Sequence, residues 1–341
     1  MHFGLTEDQL QVRDTVRAFL GRLRSARDVL EGADAADPDT WARICAEQGW
    51  QVLLVPEDQG GLGFGIMDMA VVLEEIGRRL TPCPLLETTF ATLALRASAP
   101  SEARDAALEA IAEGTPAALA LDAKVQHDGT LSGEAPQVIG GQGAGIVVVV
   151  AESGAFLLTE GWTAEPLPVL DVTRPAARLW FERAPCVPLE GLDVAALRSE
   201  CAVLVAAEAV GSADATLEMA VDYAKARRQF GKPIGSFQAI QHTCADMMIG
   251  IESARSAVWY AAWALDSGAD DAALAARTAK AVACDALSSC AGENIQVHGG
   301  IGFTWEHDAH LFFKRAQASR VLLGSPEAHR AAVADAILGQ R

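Results

Sequence analysis

The amino-acid sequence predicts an α+β protein with an N-terminal helical domain, a small middle β domain and a C-terminal four-helix bundle. Two observations carry that expectation. Apolar residues recur at helical spacing near the N-terminus and again from Asp193 to the end, in a chain that is half hydrophobic and rich in alanine, a composition that favours packed helices. Pro116 marks a change of character, after which short β-branched runs replace the helical stripes. The 341 residues suffice for two or three domains with a real core. The expected boundaries are 1–115, 116–195 (a shortened middle domain) and 196–341.

Taken in order, Thr6 followed by Glu7, Asp8 and Gln9 is an N-terminal capping pattern, and Leu10, Val12, Val16, Phe19, Leu20 and Leu23 supply a helical stripe behind it. Residues 25–39 are polar and turn-prone. Asp39 or Thr40 caps a helix carrying Trp41, Ile44 and Cys45 that ends at Gly49. After an apolar connector, the glycine-rich segment Pro56–Gly65 is irregular and suited to lie against a ligand, or serves as a plain inter-helix turn. A helix over 66–80 is broken by Pro82 and Pro84, and 85–113 is helical with a break at Pro100. Strands are expected at Ala117–Leu121, Lys124–His127, Ile146–Ala151, Ala155–Leu158, Val169–Val172 and Ala177–Phe181. The run from Gly140 to Gly145 has the look of a dinucleotide loop, but it precedes a strand instead of leading from a strand into a helix, so it reads as a turn. Helices are then expected over about 196–228, 236–266, 271–294, 307–317 and 326–338.

Composition narrows the function classes. A net charge of −18 disfavours a phosphate-backbone partner, so no nucleic acid is expected. The seven cysteines show no Cys-x-x-Cys pairing and fit a reducing cytoplasm better than a disulfide frame. No apolar run approaches the roughly 18 residues of a membrane span, and the first residues lack the pattern of a signal peptide. A cytoplasmic protein with no membrane association and no metal site is expected.

Two stretches carry the chemistry. In the first, Gly231, Pro233 and Gly235 interrupt a long helix, and a new helix is expected to start near Ser236, a good N-cap. A helix end, a helix start and Arg227 with Arg228 converge there, which suits an anion such as a pyrophosphate. The bland alternative is a helix–turn–helix with a solvated arginine pair. In the second, Gly299 and Gly300 follow Gln296 closely, so a flat ligand can approach the backbone.

Both stretches resemble the C-terminal domain of the acyl-CoA dehydrogenase family. Arg227, Phe230, Gly231 and Gln238 match one of its motifs, and Gln296, Gly299, Gly300, Gly302 and Phe303 match another. Val55-Pro56-Glu57-Asp58-Gln59-Gly60-Gly61-Leu62-Gly63 is similar to an N-terminal segment that lies near the acyl pocket in the family. The resemblance implies that Arg227, Phe230, Gln238, Gln296, Gly299 and Gly300 contact the adenine-side half of an FAD whose flavin lies in the neighbouring subunit. It also implies an acyl-CoA substrate that loses an α proton to a carboxylate and a β hydride to the flavin.

Two family features are missing. The glutamate that usually serves as base falls here on Leu323, which cannot accept a proton. The flavin-wall loop of the middle domain is absent, since Ala118–Lys124 passes straight into Val125-Gln126-His127. An alternative family register for the base lands on Cys201, with Glu200 adjacent and Glu208 about two helical turns on. Glu306, His242 and His298 read as structural. The motif also departs from the family at Leu311 and Arg315. Together the absences resemble the non-catalytic-type subunit of actinobacterial α2β2 acyl-CoA dehydrogenases that often act on bulky steroid side-chain thioesters. In that reading the partner supplies the glutamate. The rivals are an active homotetramer with a displaced base such as Glu200, and a structural relative that binds no flavin.

Overall fold

The computed structural model describes residues 5–35 and 37–339. The chain forms two compact units. One comprises the N-terminal segment up to Arg27, Ala70–Thr81 and the chain from Ala202 onward. The other comprises Asp28–Met69 and Pro82–Cys201.

The second unit holds α3 (Pro38–Glu47), α5 (Leu85–Ala97), α6 (Glu102–Ala112) and a seven-stranded mixed sheet. Its strands are β1 (Ala117–His127), β2 (Leu131–Ile139), β3 (Ile146–Ala151), β4 (Gly154–Leu158), β5 (Trp162–Pro166), β6 (Ala176–Ala184) and β7 (Val187–Leu189), in the order β5-β6-β2-β1-β3-β4-β7. Only β1 and β3 run parallel, in register Ala117 with Ile146; the other neighbours are antiparallel. Alternate residues of the inner strands, Ala118 and Ala120, Val147 and Val149, Leu179 and Phe181, join Phe156 and Leu158 in one core. Helix α5 is buried from Leu85 to Leu95, with Glu87, Thr88, Thr89 and Thr92 buried alongside its apolar residues. Thr88 Oγ1 accepts the Ala117 N–H at 3.1 Å and ties α5 to the start of β1.

The first unit holds α1 (Glu7–Leu20), most of α4 (Ile66–Arg79) and α7 (Val194–Ala226), and then α8 (Gln238–Ser267), α9 (Ala272–His298), α10 (Ala309–Val321) and α11 (Pro326–Leu338). Thr6 and Gln9 exchange side-chain-to-backbone hydrogen bonds at the start of α1, the expected capping box. Helices α4 and α7 cross at backbone contact. A Cβ on Gly77 would lie 2.0 Å from the Glu208 carbonyl oxygen, and one on Gly211 1.7 Å from that of Glu74. Ser212 Oγ donates to the Gly77 carbonyl across the crossing at 2.8 Å. Ion pairs then brace the helices: Arg17 with the buried Glu75 at 2.6 Å, Arg255 with Glu74 at 2.9 Å, and Arg78 with Asp214.

Several local expectations are corrected. Asp37, not Asp39 or Thr40, caps α3: its carboxylate accepts the Thr40 N–H at 3.1 Å, with Pro38 opening the helix. The polar run 25–39 contains a short helix, α2 (Ala26–Leu30). Lys124–His127 continues Ala117–Leu121 as one strand, bulged where Asp122 takes a positive φ of 56°. Strands β2, β5 and β7 were not anticipated, because β2 alternates polar with apolar residues and contains Pro136, while β5 and β7 are short and exposed. Val169–Val172 is not a strand; Asp171 instead accepts the Thr173 N–H at 3.0 Å and closes a turn. The Gly140–Gly145 run is a turn between β2 and β3, as expected.

A candidate cofactor face without its base

The long helix stops at Ala226, and residues 227–237 form a small knot. Arg228–Gln229 pairs with Lys232–Pro233 as a two-stranded hairpin, and the Ile234 N–H donates to the Arg227 carbonyl at 2.8 Å to close it. Phe230 and Gly231 make the tip with φ of 51° and 78°. A phenylalanine in that conformation is strained by roughly 1 kcal/mol or more, and its ring is 91 % exposed. Ser236 does not cap α8. It closes a 3₁₀ turn, Ile234–Ser236, and its hydroxyl donates to the Pro233 carbonyl at 2.8 Å, while Phe237 takes the N-cap position with no side-chain bond. Pro233 requires the extended backbone that precedes this turn, which displaces the helix start by two residues.

One ring contact links the helices that lead into the two motif stretches. Tyr223, one turn before Arg227 on α7, stacks on His298, the last residue of α9, with ring centroids 4.3 Å apart. Beyond His298 the chain enters a 3₁₀ turn, Gly299–Phe303. Gly299 has φ of 63°, while Gly300 needs no special geometry and has open space where a Cβ would stand. Arg227, Gln238, Gln296, Gly299 and Gly300 are all exposed. No described residue forms an ion pair with Arg227 or a side-chain hydrogen bond with Gln238 or Gln296. Gly299 ends α9, its N–H donating to the carbonyls of Gln296 and Ile295; the three polar side chains are left open. One guanidinium, two amides, two bare glycines and an uncovered aromatic ring suit the phosphate and base portions of a dinucleotide, so the residues fit FAD.

The other predicted positions are engaged elsewhere. Leu323 has φ of 62°, an unusual conformation for leucine, and is followed by Gly324 at 103°. Its turn is held in place: His329 Nε2–H donates to the Leu323 carbonyl at 3.0 Å, and Lys280, wholly buried, donates to the carbonyls of Ser319 at 3.1 Å and Gly324 at 3.3 Å. A shaped backbone therefore carries an alkyl side chain. Glu200 pairs with Arg96 at 3.1 Å. Cys201 is buried, and desolvation pushes its thiol well above the usual range. Glu208 is bound by Arg315 at 2.6 Å in a pair that is almost fully buried, which accounts for the departure at Arg315. Glu306 and His242 are exposed. The middle sheet turns from β1 into β2 through Asp128, Gly129 and Thr130, with no room for an inserted loop.

Tyr223, His307 and Lys280 lie outside both sequence motifs. His307 lies close to the double glycine in sequence, whereas nothing in the local pattern marked Tyr223 or Lys280, whose partners are distant.

Comparison with known proteins places this architecture. Residues 6–115 match the N-terminal domain of acyl-CoA dehydrogenases and residues 196–338 the C-terminal domain. The acyl-CoA dehydrogenase IpdE2 of Mycobacterium tuberculosis is 38 % identical over 325 residues, covering 94 % of this chain and 94 % of that protein. Acyl-CoA dehydrogenase FadE34 of the same species is also 38 % identical, over 94 % of this chain and 46 % of that longer protein. Among solved structures, a Tcur3481-Tcur3483 steroid ACAD variant aligns with TM-score 0.90 and 27 % identity over 98 % of each chain. The ChsE4-ChsE5 complex from Mycobacterium tuberculosis aligns with TM-score 0.90 and 26 % identity over 99 % of each. The chain belongs to the acyl-CoA dehydrogenase family of oxidoreductases.

Proposed function

We propose that this chain is the half-site subunit of an α2β2 acyl-CoA dehydrogenase. It holds the adenine-side half of an FAD seated in a homologous partner, and the partner supplies the glutamate that removes the substrate's α proton. The observation that carries the reading is Leu323: at the position where the family resemblance puts the base, a turn held by His329 carries a side chain that cannot accept a proton.

In this assignment the Arg227 guanidinium offsets pyrophosphate charge, Gln238 and Gln296 offer amide donors and acceptors, Gly299 and Gly300 admit close approach, and Phe230 covers the ligand. Bound FAD supplies the acceptor for the β hydride. The second flavin position, the one this chain's middle domain should wall, stays empty in our reading because β1 turns directly into β2. The similarity to a steroid ACAD and to the ChsE4-ChsE5 complex supports a heteromeric assembly acting on a bulky steroid side-chain CoA thioester. Seven free thiols support a cytoplasmic location. The ion pair between Glu200 and Arg96 weighs against an active homotetramer using that residue.

Expression with and without a homologous partner tests the proposal. Alone, the chain should be colourless and inactive; co-expressed, it should purify as a yellow complex that desaturates an acyl-CoA thioester. A lone polypeptide that binds flavin stoichiometrically and turns over substrate would sink the half-site reading. A complex that never binds flavin would point to the structural relative instead.

A further inference from the structure

We propose that the stacked pair His298–His307 positions the Gly299–Phe303 turn for the cofactor only while both imidazoles are neutral, so that this chain's grip on FAD weakens on acidification. The inference rests on the reading of that turn as an FAD contact.

The turn is built around His298. Its ring is buried, and Tyr223 and His307 both stack on it with centroids 4.3 and 4.2 Å away. Gly302 folds back over it so closely that a Cβ there would meet the His298 Cβ and the Ile295 carbonyl at 3.0 Å each. The tautomers follow from the hydrogen bonds. His298 Nδ1–H donates to the Asn294 carbonyl at 2.8 Å. His307 Nδ1 accepts the N–H of Ala309, the first residue of α10, at 3.1 Å. His307 thus anchors the far end of the segment, but only with a bare Nδ1 lone pair.

Protonation of His307 removes that acceptor and sets a cation against His298. The surroundings oppose it. Arg27 is a facing cation, and His310, which Lys314 in turn faces, lies in the same cluster with its ring against Trp305 at 4.9 Å. The facing carboxylate is Asp308, which Arg27 Nε already engages at 2.6 Å; Glu306 is exposed. Burial is the largest influence on both His298 and His307 and holds each below the ordinary imidazole value of 6.5. The sign follows. The folded turn prefers neutral rings, so its ordering is complete above the ordinary histidine range and is lost as pH falls through and below it.

The test uses the flavin-retaining complex and reads FAD release by fluorescence, not turnover, between about pH 7.5 and about pH 5.5. The wild-type dissociation constant should rise several-fold across that interval, with a ceiling of about tenfold for each histidine that must stay neutral. His307→Asn keeps an acceptor but cannot be protonated; it should bind a few-fold more weakly at high pH, with a much flatter pH profile. His298→Asn, which keeps a donor, should flatten it as well. Circular dichroism at both pH values checks that the rest of the fold is intact. A flat wild-type profile, a variant profile as steep as wild type, or loss of helicity in step with flavin release would each overturn the role of the pair. Absence of flavin at high pH in every pairing would instead sink the cofactor assignment on which it rests.

Discussion

Side chains held in place by contacts within the chain can be told from side chains that its fold leaves unused. Arg227, Gln238 and Gln296 are of the second kind, exposed and unengaged, and they carry our cofactor assignment. Arg227→Ala removes a charge-assisted contact of roughly 1.5–3 kcal/mol, so FAD affinity of the complex should fall roughly 10- to 100-fold with no change in thermal stability; equilibrium dialysis measures it. Leu323 is of the first kind, fixed by His329 and Lys280 around a positive φ. Leu323→Glu should not confer dehydrogenation on the isolated chain, because a base alone does not complete a site, and an assay with acyl-CoA and an artificial electron acceptor checks this. Motif spacing singles out the arginine, the two glutamines and the double glycine, and the fold leaves all five exposed. Tyr223 and His307 were not readable. Each stacks on His298, Tyr223 from across two long helices in the sequence and His307 from across the turn, and no local periodicity encodes either contact.

At the level of elements, glycine decides how closely helices approach. Gly77 and Gly211 let α4 and α7 touch backbone to backbone. Either one changed to alanine should cost about 1–3 kcal/mol or more by overpacking, seen as a lower midpoint in urea. Gly292, within α9, meets nothing within 4 Å; Gly292→Ala should leave the isolated chain unchanged or stabilise it by up to about 1 kcal/mol. The buried pair Arg315–Glu208 makes a second test. Arg315→Ala strands a buried carboxylate and should cost about 3–5 kcal/mol, whereas the double change Arg315→Met with Glu208→Gln should recover much of it. The helices were legible because prolines, caps and apolar stripes bracket them, and α11 over Pro326–Leu338 matches the expectation at both ends. The sheet was legible at the fully buried β3 and, in part, at β1 and β6, whose apolar residues alternate with exposed ones. Strands β5 and β7 lack that signature, and their pairing is set by distant neighbours that a linear pattern does not reveal.

For the whole molecule, the two units each have their own polar and apolar ties, and the α+β class with helical ends was evident from the change at Pro116. The net charge of −18 makes copies of the chain repel one another. Among the described residues no helix is long and apolar enough to cross a membrane. Against that acidic background the exposed aromatics are conspicuous: Phe230 at 91 %, Phe303 at 81 % and Trp305 at 67 %. If a partner and its cofactor cover them, the complex should melt well above the lone chain, by several degrees in differential scanning fluorimetry, and added FAD should raise the melting point of the complex but not of the lone chain. Bare rings of this size are sticky in the absence of their cover. Cells producing this polypeptide in excess of its counterpart would accumulate clumped, wasted copies. Balanced synthesis of the two products, as from adjacent reading frames translated together, is the simplest way to prevent that loss.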